Sequence, residues 1–314
     1  EIPLCDWSSD VCSSDLYIVG QLSSPIEQLI DFSRSLQDAK ISLERLGEIH
    51  GKEDEEQVGG IRLNVLPDDR TLRLENLSFS YDGADRDYVL EDINLTIPHN
   101  RVTAIVGASG SGKTTIVKLL LGFYNPNKGD VRIGDTSLKN LNPHVWRSKT
   151  GSVMQDGFIF SDTIANNIAP GEEVVDKERL LHAVTVANIR DFIDSLPPGY
   201  NTKIGMEGNG VSQGQRQRIL IARAVYKNPD FIFLDEATNA LDANNEREIM
   251  EQLHAFYKGR TVVVVAHRLS TVRDADKIVV LDKGRIVEEG THQELTALRG
   301  TYYKLVKNQL ELGN

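Results

Sequence analysis

The run Gly107-Ala108-Ser109-Gly110-Ser111-Gly112-Lys113-Thr114 fits the pattern G-x-x-x-x-G-K-[ST], whose chemistry is the holding of phosphate. Gly107, Gly110 and Gly112 let the backbone curl until successive N–H groups, Ser109 among them, point at one anion. Lys113 can neutralise charge on β- and γ-phosphates. Thr114 can ligate Mg²⁺, and Thr115 follows it into a helix whose positive end faces the same anion. A second constellation is Phe231-Ile232-Phe233-Leu234-Asp235-Glu236, an apolar stretch ending in two acids. Asp235, at a strand tip, can hold Mg²⁺, mostly through water. Glu236, one residue on, can point at a γ-phosphate and polarise the attacking water.

The elements that must position these groups are legible from periodicity. Arg101–Val106 reads as a short strand entering the glycine-rich turn, and Thr114–Leu121 as the helix leaving it. Phe231–Leu234, Thr261–Val265 and Ile278–Leu281 are near-continuous apolar runs, as expected of strands buried on both faces of a mainly parallel sheet. From Thr71 the period is two, through Leu72, Leu74, Leu77, Phe79 and Tyr81, with a turn expected at Asp82-Gly83 and a second run at Ile93, Leu95 and Ile97. Phe158 to Tyr226 reads largely helical, and Thr291 with Glu294 forms a capping box for a C-terminal helix. In this strand–turn–helix setting the glycine loop is that of a P-loop NTPase. Alone it leaves kinases, GTPases and transporters open.

Val211-Ser212-Gln213-Gly214-Gln215-Arg216-Gln217-Arg218, running on through Ala222-Arg223-Ala224, narrows the field. It resembles the signature of the ABC ATPase family, Leu-Ser-Gly-Gly-Gln before a basic helix, with Val211 and Gln213 as departures. Ser212, Gly214 and Gln215 keep a hydroxyl, a close-approach glycine and a helix N-terminus, which suffice to hold a γ-phosphate. The resemblance covers Thr71 to about Gln309 and extends to further elements in order. Tyr81 matches the aromatic that stacks on adenine, and Gln155 the glutamine that meets Mg²⁺ and links the site to a membrane domain. Asp242, in Asn239-Ala240-Leu241-Asp242, matches a loop crossing a dimer interface. His267 matches the histidine contacting γ-phosphate and Glu236. His50, His99, His144, His182, His254 and His292 take surface or structural readings.

What the resemblance implies is an α/β fold: a P-loop NTPase (RecA-like) core with an antiparallel β subdomain and a helical insertion, about 157–226, carrying the signature. It implies an ATPase with Mg²⁺ as cofactor and ATP as substrate. Two such domains, expected as a homodimer, would pair so that Ser212, Gly214 and Gln215 of one face the other's P-loop.

Tyr17–His50 reads as helical, with Ile26, Leu29, Ile30, Leu36, Ile41, Leu43 and Leu46 at three- and four-residue steps and Pro25 as a kink or helix start. Gly51–Gly60 is a charged, glycine-ended linker. Residues 17–70 thus resemble the end of a last transmembrane helix plus linker, with 71–314 the ATP-binding domain. Gly205-Met206-Glu207-Gly208 is similar to the segment that couples exporters to membrane-domain loops, with Glu207 the matching acid. The layout resembles bacterial peptide or bacteriocin exporters, many of which have an N-terminal peptidase domain. The expected place is the cytoplasmic face of the bacterial inner membrane, beside the exporter's transmembrane domain. The competing class is a soluble ABC ATPase acting on ribosomes or DNA, which the single cassette and the lack of long coiled coils disfavour. A dead binding module is disfavoured by the presence of Lys113, Asp235, Glu236 and His267.

Composition bounds the rest. A net charge of −11 argues against a broad nucleic-acid or anionic-membrane surface, and no nucleic-acid partner is expected. Residues 1–16 are Ser/Asp-rich, carry both cysteines, and read like the translation of a short sequencing adapter rather than native protein. Without them no cysteine remains, so no disulfide or thiol chemistry is expected. No apolar run reaches the ~18 residues that a membrane-spanning helix needs.

Overall fold

An uninterrupted apolar strand requires cover on both of its faces, and the computed structural model supplies it. Residues 10–51, 62–81, 87–205, 208, 210–237, 243–266 and 272–312 are described. The chain divides into two units, Glu1–Gly60 and Ile61–Asn314.

The first unit is described by one helix, α1 (Asp10–His50), with Pro25 in its interior. The helix therefore begins well before Pro25, inside the segment set aside as foreign, and the proline is not its start. Once nucleated, a helix gains a hydrogen bond for each residue added, so it can extend into a stretch with no apolar period of its own. Ile26, Leu29, Ile30, Leu36, Ile41, Leu43 and Leu46 are all exposed. No helix among the described residues is long and apolar enough to cross a membrane. The linker at 52–60 lies outside the described residues.

The second unit opens with β1 (Leu72–Phe79), β2 (Leu90–Ile97) and β3 (Val102–Gly107), then α2 (Lys113–Leu120). Next come β4 (Lys128–Ile133), β5 (Thr136–Ser137), α3 (Pro143–Lys149) and β6 (Thr150–Val153). The helical stretch holds β7 (Asp162–Thr163), α4 (Ile164–Ile168), α5 (Lys177–Val186), α6 (Arg190–Asp194), β8 (Lys203–Ile204) and α7 (Gln213–Tyr226). Then follow β9 (Phe231–Asp235), α8 (Ala243–Tyr257), β10 (Thr261–Val265), β11 (Lys277–Asp282), β12 (Arg285–Gly290), α9 (His292–Leu298) and α10 (Thr301–Leu312). The expected turn at Asp82-Gly83 lies outside the described residues.

Two main sheets result. A 4-stranded antiparallel sheet runs β2-β1-β4-β5, and a 6-stranded sheet runs β12-β11-β3-β10-β9-β6. In the larger sheet every pairing is parallel except β11 with β12. Its two faces belong to different cores, and the side chains sort by strand alternation. Ala104, Ile232, Leu234, Val262, Val264, Ile278 and Val280 face a core shared with the helical stretch and α8. Ile105, Phe231, Phe233, Val263, Val265, Val279 and Leu281 face a second core with α2, Trp146 and the antiparallel sheet. Trp146 lies 4.9 Å from the Phe231 ring, and its indole N–H donates to the Leu120 carbonyl at 3.1 Å. The continuous apolar runs thus have their physical cause.

The parallel register puts the carboxyl ends of β3, β10, β9 and β6 along one edge of the sheet. Val265 is paired with Ile105 on one side and with Asp235 on the other, and Val153 with Leu234. In open α/β sheets this edge is where ligands bind.

Candidate functional site

The glycine loop leaves β3 at that edge and enters α2. Gly107 is pressed against β11: a Cβ built on it would lie 2.1 Å from the Leu281 carbonyl oxygen. Gly112 caps α2 at φ 102, a conformation that disfavours any side chain, and its Cβ would also meet Leu90. Ser109 and Gly110 are exposed at the loop's crest. The Lys113 ammonium is buried and donates to the carbonyls of Gly107 at 3.0 Å and Ala108 at 2.8 Å. Burial pushes its pKa down, while the charges of Glu236 and Asp235 oppose that shift.

Asp235 ends β9 directly beside this loop. It is fully buried, and neither carboxylate oxygen has a hydrogen-bond partner. Burial raises its pKa; the neighbouring Thr114 hydroxyl pulls it down, Glu236 pushes it up, and Lys113 and Lys118 lower it. A buried, unpartnered carboxylate beside a hydroxyl and an anion cradle fits a hard, oxygen-ligated cation. Among the described residues no three His, Cys, Asp or Glu side chains converge as a metal cage. Mg²⁺ takes one or two protein ligands and completes its shell with water and substrate phosphates.

Glu236 follows in the left-handed region at φ 53, rare for a residue with a Cβ. Its N–H donates to the Val265 carbonyl at 3.1 Å, and its own carbonyl accepts from Gln217 Nε2 at 3.0 Å. Gln217 was not singled out by the sequence reading. The available signal was a polar residue on the buried stripe of α7, with Leu220, Ile221 and Ala224.

Tyr81 stands just past β1, about half-exposed rather than buried in the strand, and its hydroxyl is 3.1 Å from that of Thr115. Phe79 and Tyr124 meet its ring edge-on at 5.0 and 5.3 Å. Tyr124 is a second residue missed from sequence, because only the fold brings it to Tyr81. Gln155 is exposed, two residues beyond the end of β6 on the same sheet edge. Ser212 caps α7 in a reciprocal capping box with Gln215, and Gly214 lies in the first turn. His267, Asp242 and Glu207 lie outside the described residues.

Downstream of Gln155 the chain is held by a polar hub. Asn167, fully buried, accepts from the Phe160 N–H at 2.8 Å and donates to the carbonyls of Phe160, Asp162 and Thr163. Arg223 of α7 donates to the Asn167 carbonyl and side chain and to the Phe158 carbonyl. Phe158 and Phe160 are left exposed, their rings 5.3 Å apart.

Comparison with known proteins bears on the whole arrangement. Residues 90–239 match the family described as ABC transporter. The chain is 42% identical to the toxin RTX-I translocation ATP-binding protein of Actinobacillus pleuropneumoniae, over 93% of this chain and 41% of that protein. It is 42% identical to the alpha-hemolysin translocation ATP-binding protein HlyB of Escherichia coli, over 88% and 39% of the two chains. With the ATP-dependent lipid A-core flippase of Syntrophus aciditrophicus the identity is 47% over 76% and 39%. A solved bacterial Atm1-family ABC exporter with ATP bound superposes with a TM-score of 0.79 at 34% identity, covering 92% of this chain and 50% of the other. The chain thus spans about two fifths of the length of these curated relatives. Residues 90–239 of this chain thus form an ATP-binding domain of the ABC transporter family, a class of domain that hydrolyses ATP.

Proposed function

We propose that this chain is the ATP-binding and ATP-hydrolysing part of a bacterial exporter. The observation that carries the reading is Asp235-Glu236 at the tip of β9, on the sheet edge where β3 enters the glycine loop, with Asp235 fully buried and neither of its carboxylate oxygens hydrogen-bonded. In this reading Tyr81 stacks on adenine. Gly107, Ser109, Gly110, Gly112, Lys113, Thr114 and Thr115 hold the phosphates. Thr114, Asp235 and Gln155 hold Mg²⁺ directly or through water. Bound Mg²⁺ would neutralise charge on the β- and γ-phosphate oxygens. Glu236 takes a proton from water as the water oxygen attacks the γ-phosphorus and the bond to ADP breaks. His267 contacts the γ-phosphate.

Two copies close on two ATP molecules, each P-loop facing the partner's Ser212, Gly214 and Gln215, with Asp242 at the interface. Gln155 and Glu207 pass closure to a transmembrane domain, which places the chain on the cytoplasmic face of the inner membrane. Relatives named for toxin translocation favour a protein or peptide cargo; the flippase relative names lipid A-core as the alternative. None of the relatives cited supports a ribosome- or DNA-acting ATPase.

Glu236→Gln tests the catalytic assignment. The variant should bind ATP, hydrolyse it at background rate and elute as an ATP-dependent dimer in size-exclusion chromatography. Hydrolysis at the wild-type rate, or a persistent monomer, would sink the reading. The genomic sequence upstream tests the exporter part, where membrane-spanning helices are expected.

A further inference from the structure

Glu236 can polarise a water only if its carboxylate points at the phosphate edge, and its backbone is in a conformation that glutamate rarely adopts. With φ at 53 the direction of the side chain depends on whatever holds the peptide groups on either side. On the N–H side the partner is the Val265 carbonyl at the end of β10, part of the rigid sheet. On the carbonyl side it is the Gln217 side-chain amide at 3.0 Å. Gln217 is only 8% exposed, so its amide has little access to water as an alternative partner.

Gln217 also sits on a particular helix. Ser212 caps α7, and Gln217 lies little more than one turn further along the same rigid rod. A shift or rotation of α7 at its N-terminus is therefore transmitted to the Glu236 carbonyl, and through it to the left-handed turn that aims the carboxylate.

We propose that Gln217 is a positioning residue for Glu236: its amide fixes the left-handed turn after β9 and ties the aim of the carboxylate to α7. This deepens the reading of Glu236 as the residue that polarises water, and rests on it. The consequence is a route within one chain from the helix end that would meet the partner's nucleotide to the acid serving its own nucleotide.

The test uses the full chain and two substitutions. Gln217→Met keeps the length and apolar packing but has no donor. Gln217→Glu keeps the shape but, ionised, accepts instead of donating. Both should lower kcat about 10- to 100-fold, the range expected for a misplaced catalytic group. KM and the equilibrium affinity for Mg-ATP should change less than about threefold. In the Glu236→Gln background neither should lower the residual rate further, since they act through the residue already removed.

Unchanged kcat in both variants overturns the proposal, as does a loss of ATP affinity that parallels the loss of rate, which marks a residue that only holds the fold. An additive loss on top of Glu236→Gln also overturns it. The parent reading fails separately: if Glu236→Gln alone hydrolyses ATP normally, the catalytic assignment falls whatever Gln217 does.

Discussion

Gly107 and the carbonyl of Leu281 approach so closely that a Cβ on the glycine would sit 2.1 Å from the Leu281 oxygen. The contact locks the first residue of the phosphate loop onto β11, at the edge where β3 ends. Gly107→Ala must push two central strands apart. We expect a loss of about 1–3 kcal/mol in stability by denaturant titration, the usual cost of overpacking. ATP affinity should fall with it, by roughly tenfold if shaping the displaced loop around the phosphates costs about 1.4 kcal/mol more than in the wild type. Unaltered stability would mean that the two strands can separate freely there.

Tyr81 offers a ring held at its edges by Phe79 and Tyr124. Stacking of a base on such a ring is worth about 1–3 kcal/mol. Tyr81→Ala should therefore weaken ATP about 10- to 100-fold in equilibrium binding while barely affecting inorganic triphosphate. Tyr81→Phe should keep most of the affinity, losing only the hydroxyl contact with Thr115. Equal losses for ATP and triphosphate would remove the base-stacking role.

Asn167 satisfies one N–H and three carbonyls of the 158–163 segment and meets Arg223 from α7. Asn167→Ala strands those groups where water cannot reach Asn167 itself. A destabilisation of about 2–3 kcal/mol is expected. Faster amide hydrogen exchange at Phe160–Thr163 should accompany it, and unchanged exchange would show that the hub is not what holds this loop.

Glu294 receives the Thr291 N–H and hydroxyl in the cap of α9, and these bonds hold its pKa below the ordinary glutamate value. A depressed folded-state pKa means stability that is present above the unfolded value, near 4.3, and lost as pH falls through the folded one. Glu294→Gln keeps the cap's shape without this titration. The Tm gap between wild type and variant should be open at pH 7 and narrow below about pH 4. A gap independent of pH would show that charge plays no part in the cap.

The local parts of the site were legible because each is a run of neighbours in sequence. The Gly107–Thr114 loop, the Asp235-Glu236 tip and the Ser212–Gln215 signature need only a few consecutive residues of the right type. The strands carrying them announced themselves by apolar runs buried on both faces, as Phe231–Leu234 shows. Helix α1 was less legible, since its start at Asp10 has no apolar period to mark it. Gln217, though it lies within the Val211–Arg218 run, and Tyr124 went unread because each acts on a residue distant in the chain.

By itself, then, the sequence determined the chemistry available: an anion cradle, two acids at a strand tip and a capped basic helix. These depend on backbone freedom, residue type and short-range period, all of which are local. Tertiary structure alone decided how the pieces bear on one another. It set Gly107 against Leu281, left Asp235 buried without a partner, and put Glu236 in a left-handed turn held by Gln217. Those relations arise from parallel strand register and from packing between residues far apart in sequence, which no local pattern encodes.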